Sequence, residues 1–188
     1  MTRIIAGSAR GRRLQVPPKG TRPTSDRVRE AVFSALAARV DLDGVAVLDL
    51  YAGSGALGLE ALSRGAASAV LVDADHRAAT VLAANVQAVA AAGRDARVRK
   101  STVENFLAGT PQRQDLVFLD PPYDLPGATV ERDLEGLTRG WLAPGAHVLV
   151  ERSARTPSIA WPEGFDEDLI RDYGETRIQL ALWQDGEP

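Results

Sequence analysis

Two short segments hold the residues best suited to chemistry. One is Asp49-Leu50-Tyr51-Ala52-Gly53-Ser54-Gly55-Ala56-Leu57-Gly58; the other, about 70 residues later, is Asp120-Pro121-Pro122-Tyr123. The first contains Gly53, Gly55 and Gly58 in a G-x-G-x-x-G spacing, with Asp49 four residues before it and Asp73 twenty residues after Gly53. Glycines at such a turn let backbone approach a ligand, and a carboxylate at the Asp73 spacing is placed to accept hydrogen bonds from ribose hydroxyls. The spacing alone fits either NAD or S-adenosylmethionine. Two features favour S-adenosylmethionine. Asp49 would face a cationic methionine end but repel a pyrophosphate, and the chain is short for a separate dehydrogenase substrate domain.

The second segment is built to hold a planar amino group. Two prolines fix φ and keep the residues before them extended. The Asp120 carboxylate and the Pro121 carbonyl then form a rigid pair of acceptors for both hydrogens of an –NH2 group, which aims the nitrogen lone pair at an electrophilic methyl. Tyr123 can stack on the base that carries the amine. No strong general base is needed, because the methylated nitrogen becomes acidic and loses its proton readily.

Positioning these segments requires strands that end just before each of them. Val45–Leu50 is a short, β-branched apolar run, as a buried parallel strand should be. Strands are also predicted over Ala69–Val72, Ala96–Arg99, Asp115–Leu119 and His147–Glu151. Helices are predicted over Leu57–Arg64, His76–Ala92, Val103–Leu107 and Thr129–Arg139 between them. Asp168–Tyr173 and Thr176–Trp183, joined at Gly174-Glu175, read as a closing antiparallel hairpin. Strands alternating with helices give an α/β doubly wound Rossmann-like sheet of seven strands. Before it, Arg3–Ala6 and Arg13–Val16 read as a small hairpin. A helix from Asp26 to about Arg39 follows, capped by Thr24 or Ser25. The expected organisation is a basic extension over residues 1–40 and a catalytic domain over 41–188.

Charge separates the same two parts. Residues 1–40 carry nine Lys or Arg against Asp26 and Glu30, a net of +7, while the remaining 148 residues carry 13 basic and 23 acidic side chains, a net of -10. A basic arm on an acidic body points to a polyanionic partner, with Arg10, Arg12, Arg13 and Lys19 as the phosphate contacts. The chain has no cysteine and only two histidines, His76 and His147. That removes disulfides, thiolate metal sites and a cysteine nucleophile, and no metal is expected. No apolar run is long enough to span a membrane and no signal peptide is visible, so a cytoplasmic monomer is expected.

Taken together, these residues resemble a known family over nearly the whole chain. Arg3–Gly7, Gly11–Leu14 and Arg22–Phe33 are similar to the N-terminal pattern of bacterial 16S rRNA guanine-N2 methyltransferases of the RsmD type; Asp49–Glu60 and Asp120–Tyr123 are similar to its cofactor loop and catalytic turn. The resemblance implies methyl transfer from S-adenosylmethionine to the N2 of guanine 966 in 16S rRNA of the small ribosomal subunit. It implies that Thr24 and Arg27 lie beside the methionine end of the cofactor, with Ser54 in its loop. It also puts Thr102 and Val103 at the adenine, where the family often has a carboxylate. Asp73 stands where the family usually has Glu, and Tyr123 where Phe is common. The catalytic turn alone also fits a methyltransferase acting on adenine N6 in RNA or DNA, or on a protein glutamine. A non-catalytic RNA-binding assembly factor would be expected to have lost one of the two motifs; both are intact.

Overall fold

The structure is a computed structural model, and it describes residues 2–17, 25–89 and 95–184. In chain order the elements are β1 (Thr2–Arg3), β2 (Arg13–Leu14), α1 (Asp26–Ala37), β3 (Ala46–Leu50), α2 (Ala56–Arg64), β4 (Ser68–Asp73) and α3 (His76–Val89). They continue with β5 (Asp95–Lys100), α4 (Val103–Leu107), β6 (Gln114–Leu119), α5 (Gly127–Leu137), β7 (Leu142–Ser153), β8 (Phe165–Tyr173) and β9 (Thr176–Trp183). Strands β3 to β9 form one seven-stranded sheet in the order β5-β4-β3-β6-β7-β9-β8, and β1 pairs with β2 alone. The five strands β3 to β7 run parallel, and β9 lies antiparallel between β7 and β8. The doubly wound sheet with a terminal antiparallel hairpin is the architecture expected from the sequence. Among the described residues no helix is long and apolar enough to cross a membrane.

The central strands are apolar along their length because helices cover both faces. Val47, Phe118 and Leu149 point into one core with Val32, Phe33 and Leu36 of α1 and Leu59 and Leu62 of α2. Leu48, Leu50, Val117, Leu119 and Val150 point into the other, against Val130, Leu134 and Leu137 of α5. Strand order reverses between β3 and β6, so their carboxyl ends open the crevice where such sheets take ligands. Both chemical segments begin there.

Several boundaries differ from the sequence reading. β1 and β2 are two residues each, because the chain after β1 bonds to α2 instead of continuing the hairpin: Ile5 and Ala6 donate their N–H groups to the Glu60 carboxylate at 2.7 and 3.0 Å. β7 starts at Leu142, five residues before the expected His147, since Pro144 and Gly145 hide a strand that is still paired to Gln114. β8 starts at Phe165 because its outward Asp166, Glu167 and Asp168 are exposed on an edge strand and mask the pattern. α1 ends at Ala37 and α5 at Leu137, each two residues short of the expected Arg39 and Arg139. Trp161 and Trp183, far apart in sequence, both stack on Phe165, with ring centroids 5.3 and 5.0 Å away.

Candidate active site

The glycine loop is held by two carboxylates, one behind it and one beside it. β3 delivers Asp49, which is 1% exposed and accepts the Gly58 N–H at 2.8 Å. That approach requires a glycine: a Cβ on Gly58 would stand 2.5 Å from Leu71 Cδ2 and 3.1 Å from the carboxylate. Gly53 and Gly55 both have positive φ, 56° and 78°, and Gly55 caps α2. Asp73, at the end of β4, accepts the Gly53 N–H at 2.8 Å through Oδ2 and the Asp75 N–H at 2.9 Å through Oδ1. It therefore fixes the loop itself, with one lone pair on each oxygen still open. Ser54 offers its carbonyl to Asn85 of α3 at 2.8 Å. Across β4, Ser101 donates its N–H to the Asp73 carbonyl at 3.1 Å, and Thr102 caps α4 by accepting from Asn105 at 3.2 Å. Thr102 is exposed and Val103 buried, so this stretch lines the same sheet edge as Asp73.

Tyr51 is the only non-glycine residue with positive φ among the described residues, at 62°. A bulky side chain adopts that conformation only when its surroundings hold it. Here the hydroxyl donates to Asp133 Oδ2 of α5 at 2.6 Å, tying the start of the loop to the opposite layer. Burial and this hydrogen bond raise the Tyr51 phenol well above its ordinary range.

The Asp-Pro-Pro-Tyr turn leaves the end of β6 one strand away. Asp120 donates its N–H to the Leu50 carbonyl of β3 at 3.4 Å, and Pro121 is buried while Tyr123 is 42% exposed. In the parallel register Leu119 faces Val150, so Asp120 and the buried Glu151 lie side by side at the ends of β6 and β7. Burial, then Glu151, then Asp49 hold the Asp120 carboxyl well above the usual carboxylate range. Burial likewise raises Asp49 to about 7, offset in part by the Gly58 hydrogen bond and reinforced by Asp73. Asp49 and Asp120 are thus both raised beside buried Glu151, and a cation there would draw those two back towards the ionised form. Arg152, 4% exposed, donates to the Leu125 carbonyl at 2.9 Å and so anchors the chain just beyond the turn.

The basic extension is fastened to the loop-bearing helix. Glu60 takes the Ile5 and Ala6 amides, the Ser63 hydroxyl donates to the Ala6 carbonyl at 2.6 Å, and Ser8 donates its N–H to the Ser63 carbonyl at 2.8 Å. Asn85 exchanges two hydrogen bonds with Gln15, at 2.8 and 2.9 Å, besides its bond to Ser54. Glu60, Ser63 and Asn85 are buried polar residues on helices α2 and α3; their type at core-facing positions was the available sign of a partner. Arg29, fully buried in α1, bonds to Asp26 at 2.8 Å and to the Arg3 carbonyl. Arg10, Arg12, Arg13 and Arg27 are exposed, with no ion-pair partner among the described residues, while Lys19 and Thr24 lie outside them. Ser25 caps α1, accepting from Val28 at 3.2 Å. His76 is exposed at the start of α3, where Asp75 caps the helix; His147 is half-buried in β7 and its pKa is lowered by burial.

The chain is similar to known proteins in sequence and in fold. Residues 2–182 match the model of the family described as conserved hypothetical protein 95. The ribosomal RNA small subunit methyltransferase D of Escherichia coli strain K12 is 46% identical over 186 residues, spanning 97% of this chain and 89% of its own. A solved Escherichia coli protein, YhhF, provisionally assigned as a methyltransferase, superposes with a TM-score of 0.86 at 35% identity, covering 97% of this chain and 98% of that one. At 17% identity and a TM-score of 0.66, magnesium protoporphyrin IX methyltransferase from Synechocystis PCC 6803, solved with bound S-adenosylmethionine, shares the fold over 84% of this chain and 79% of its own. The chain belongs to the conserved hypothetical protein 95 family, the family that includes the RsmD methyltransferases.

Proposed function

We propose that this chain transfers a methyl group from S-adenosylmethionine to the exocyclic N2 of a guanine in 16S rRNA of the small ribosomal subunit, position 966 by family resemblance. The observation that carries the reading is the Asp120-Pro121-Pro122-Tyr123 turn at the switch point of the sheet, one strand from buried Asp49. The residues present fit the cofactor. Asp49 is a buried carboxylate with a single backbone donor on it, suited to the cationic methionine end, whereas a pyrophosphate would be repelled by Asp49, Asp120 and Glu151. Gly53, Ser54 and Gly55 would lie along the cofactor, Asp73 would accept from its ribose, and Thr102 and Val103 would flank its adenine. Thr24 and Arg27 are assigned to the methionine end. When bound, S-adenosylmethionine supplies an electrophilic methyl on a sulfonium centre.

The chain's own residues then orient the acceptor. Asp120 and the Pro121 carbonyl take the two amine hydrogens, and exposed Tyr123 stacks on the guanine. Asp120 must be ionised to accept both ways, and positive charge beside Asp49 favours that state. Residues 1–40 supply the RNA-binding surface through Arg10, Arg12, Arg13 and Lys19, and residues 41–188 supply the transfer. We assign a cytoplasmic, metal-free monomer to this activity. The test is methyl transfer from labelled S-adenosylmethionine to small subunits, stripped 16S rRNA and DNA. Label in guanine N2 of subunit RNA is the expected result. Label in adenine N6, or in DNA alone, would overturn it.

A further inference from the structure

Besides the crevice, the carboxyl edge of the sheet carries a second recess. A cavity of about 500 Å³ lies between α1 and the β8–β9 turn, lined by Arg27, Val28, Ala31, Tyr173 and Gly174. Its place in the fold follows from the register. Tyr173 faces Thr176 across the turn, Thr176 faces Ser153 of β7, and Ser153 is two residues beyond Glu151. At a strand rise of roughly 3.3 Å per residue, the turn projects about 7 Å past the carboxylate beside Asp120. Across the sheet β8 is three strands from β6, so the cavity lies on the same edge as Asp120, roughly 14 Å to the side at about 4.8 Å per strand.

Its lining is mostly apolar, with one aromatic ring, Tyr173, and one guanidinium, Arg27. Tyr173 is half-buried, with its inner side packed on the core. The Arg171 guanidinium stands over its ring, 5.5 Å from the centroid. Carboxylates near the turn are neutralised: Asp172 is held by Arg177 at 2.8 Å, and Glu175 is paired with Arg155. Gly174 has positive φ, 64°, and open space where a Cβ would be. Arg27 also lines a second cavity, of about 340 Å³, with Arg3, Arg10, Asp26 and Glu30, where Arg3 pairs with Asp26. Exposed Arg27 thus borders both recesses.

We propose that the Tyr173 cavity takes an unstacked RNA base from a nucleotide near the target, with exposed Arg171 turning from the ring onto its phosphate. This rests on the RNA-methylating function proposed above and names a contact within it. A flat ring beside guanidinium groups suits a base and its phosphate, because stacking on an aromatic tolerates any base and arginine meets the backbone charge. Holding a nearby base outside the stack would also help present the target base at Asp120.

The experiment compares the parent protein with Tyr173→Ala, Tyr173→Phe and Ala31→Trp, using small subunits from cells lacking this gene. Ala31 is half-buried and lines the cavity, off the Val32, Phe33 and Leu36 face of α1, so the tryptophan fills the cavity and not the core. Tyr173→Ala and Ala31→Trp should each weaken subunit binding about tenfold. Tyr173→Phe keeps the stacking surface and should stay within about twofold of the parent. S-adenosylmethionine affinity should be unchanged in all three, which shows that they are folded. Parental subunit affinity in both Tyr173→Ala and Ala31→Trp would overturn the inference. So would a loss in Tyr173→Ala alone, since that marks a packing role. If the parent protein itself methylates no subunit RNA, the proposed function fails, and this inference with it; a fully active parent with unaffected variants overturns the inference only.

Discussion

Replacing Asp49 by Asn should move stability and cofactor affinity in opposite directions. In the folded protein the Asp49 carboxyl has its pKa raised to about 7, chiefly by complete burial. In the unfolded chain it titrates near ~3.9. Between about pH 4 and pH 7 the unfolded state is therefore ionised while the folded state keeps its proton. Stability falls as pH rises through that window, by roughly 1.4 kcal/mol per unit and on the order of 4 kcal/mol in total. Asparagine carries no charge and still offers an acceptor to the Gly58 N–H, now 2.8 Å from the Asp49 carboxylate. Its new –NH2 group needs a partner, which costs about 1–3 kcal/mol if unmet. The net expectation is that cofactor-free Asp49→Asn is more stable than the parent at pH 8 by about 1–3 kcal/mol, with the advantage disappearing towards pH 5. Urea unfolding at pH 5, 6, 7 and 8 gives the two curves. Cofactor calorimetry gives the counterpart: parental affinity should drop about tenfold from pH 8 to pH 6 as a proton competes for Asp49. Asp49→Asn should bind weakly at every pH. Parallel stability profiles for the two proteins from pH 5 to pH 8 would refute the reasoning, because Asp49 would then carry no strained charge.

Other perturbations separate the parts of the site. Asp120→Ala should lower the single-turnover methylation rate about a hundredfold with cofactor saturating, since one of two acceptors orienting the amine is lost; a rate within a few-fold of the parent would count against the mechanism. Gly58→Ala places a Cβ 2.5 Å from Leu71 Cδ2, so it should destabilise the fold by about 1–3 kcal/mol and weaken cofactor binding as Asp49 is displaced, measured by thermal unfolding and calorimetry. Substituting exposed Arg10, Arg12 and Arg13 together should reduce the salt dependence of subunit binding by roughly one log–log slope unit per lost phosphate contact, with cofactor affinity preserved.

The parallel core was legible because its strands are short apolar runs flanked by turn residues, and both chemical segments sit at strand ends where the glycines and prolines punctuate the chain. Strand lengths were less visible wherever edge exposure or a turn residue broke the pattern, as at Asp166–Asp168 and at Pro144-Gly145. What the sequence could not convey was the set of long-range polar ties. Glu60 and Ser63 bind the extension 54–57 residues away, and Asn85 links Gln15 to Ser54. Tyr51 and Asp133 are 82 residues apart. No local spacing encodes such pairs; a buried polar side chain announces only that a partner exists. Glu151 and Arg152 close the predicted His147–Glu151 strand, where an ordinary strand end is favoured over an approach to substrate. The structure puts Glu151 beside Asp120 and turns Arg152 back to the loop that follows the Asp120–Tyr123 turn.

The central claim is a methyl on the N2 of one guanine of 16S rRNA, and a mass map of that RNA from cells lacking this gene tests it most directly. The expected map shows a single guanine, at position 966, lighter by one methyl group, and regaining it when the intact gene is returned but not when Asp120→Ala is supplied. A fully methylated guanine in the deletion strain, or a missing methyl on an adenine instead, would contradict the account.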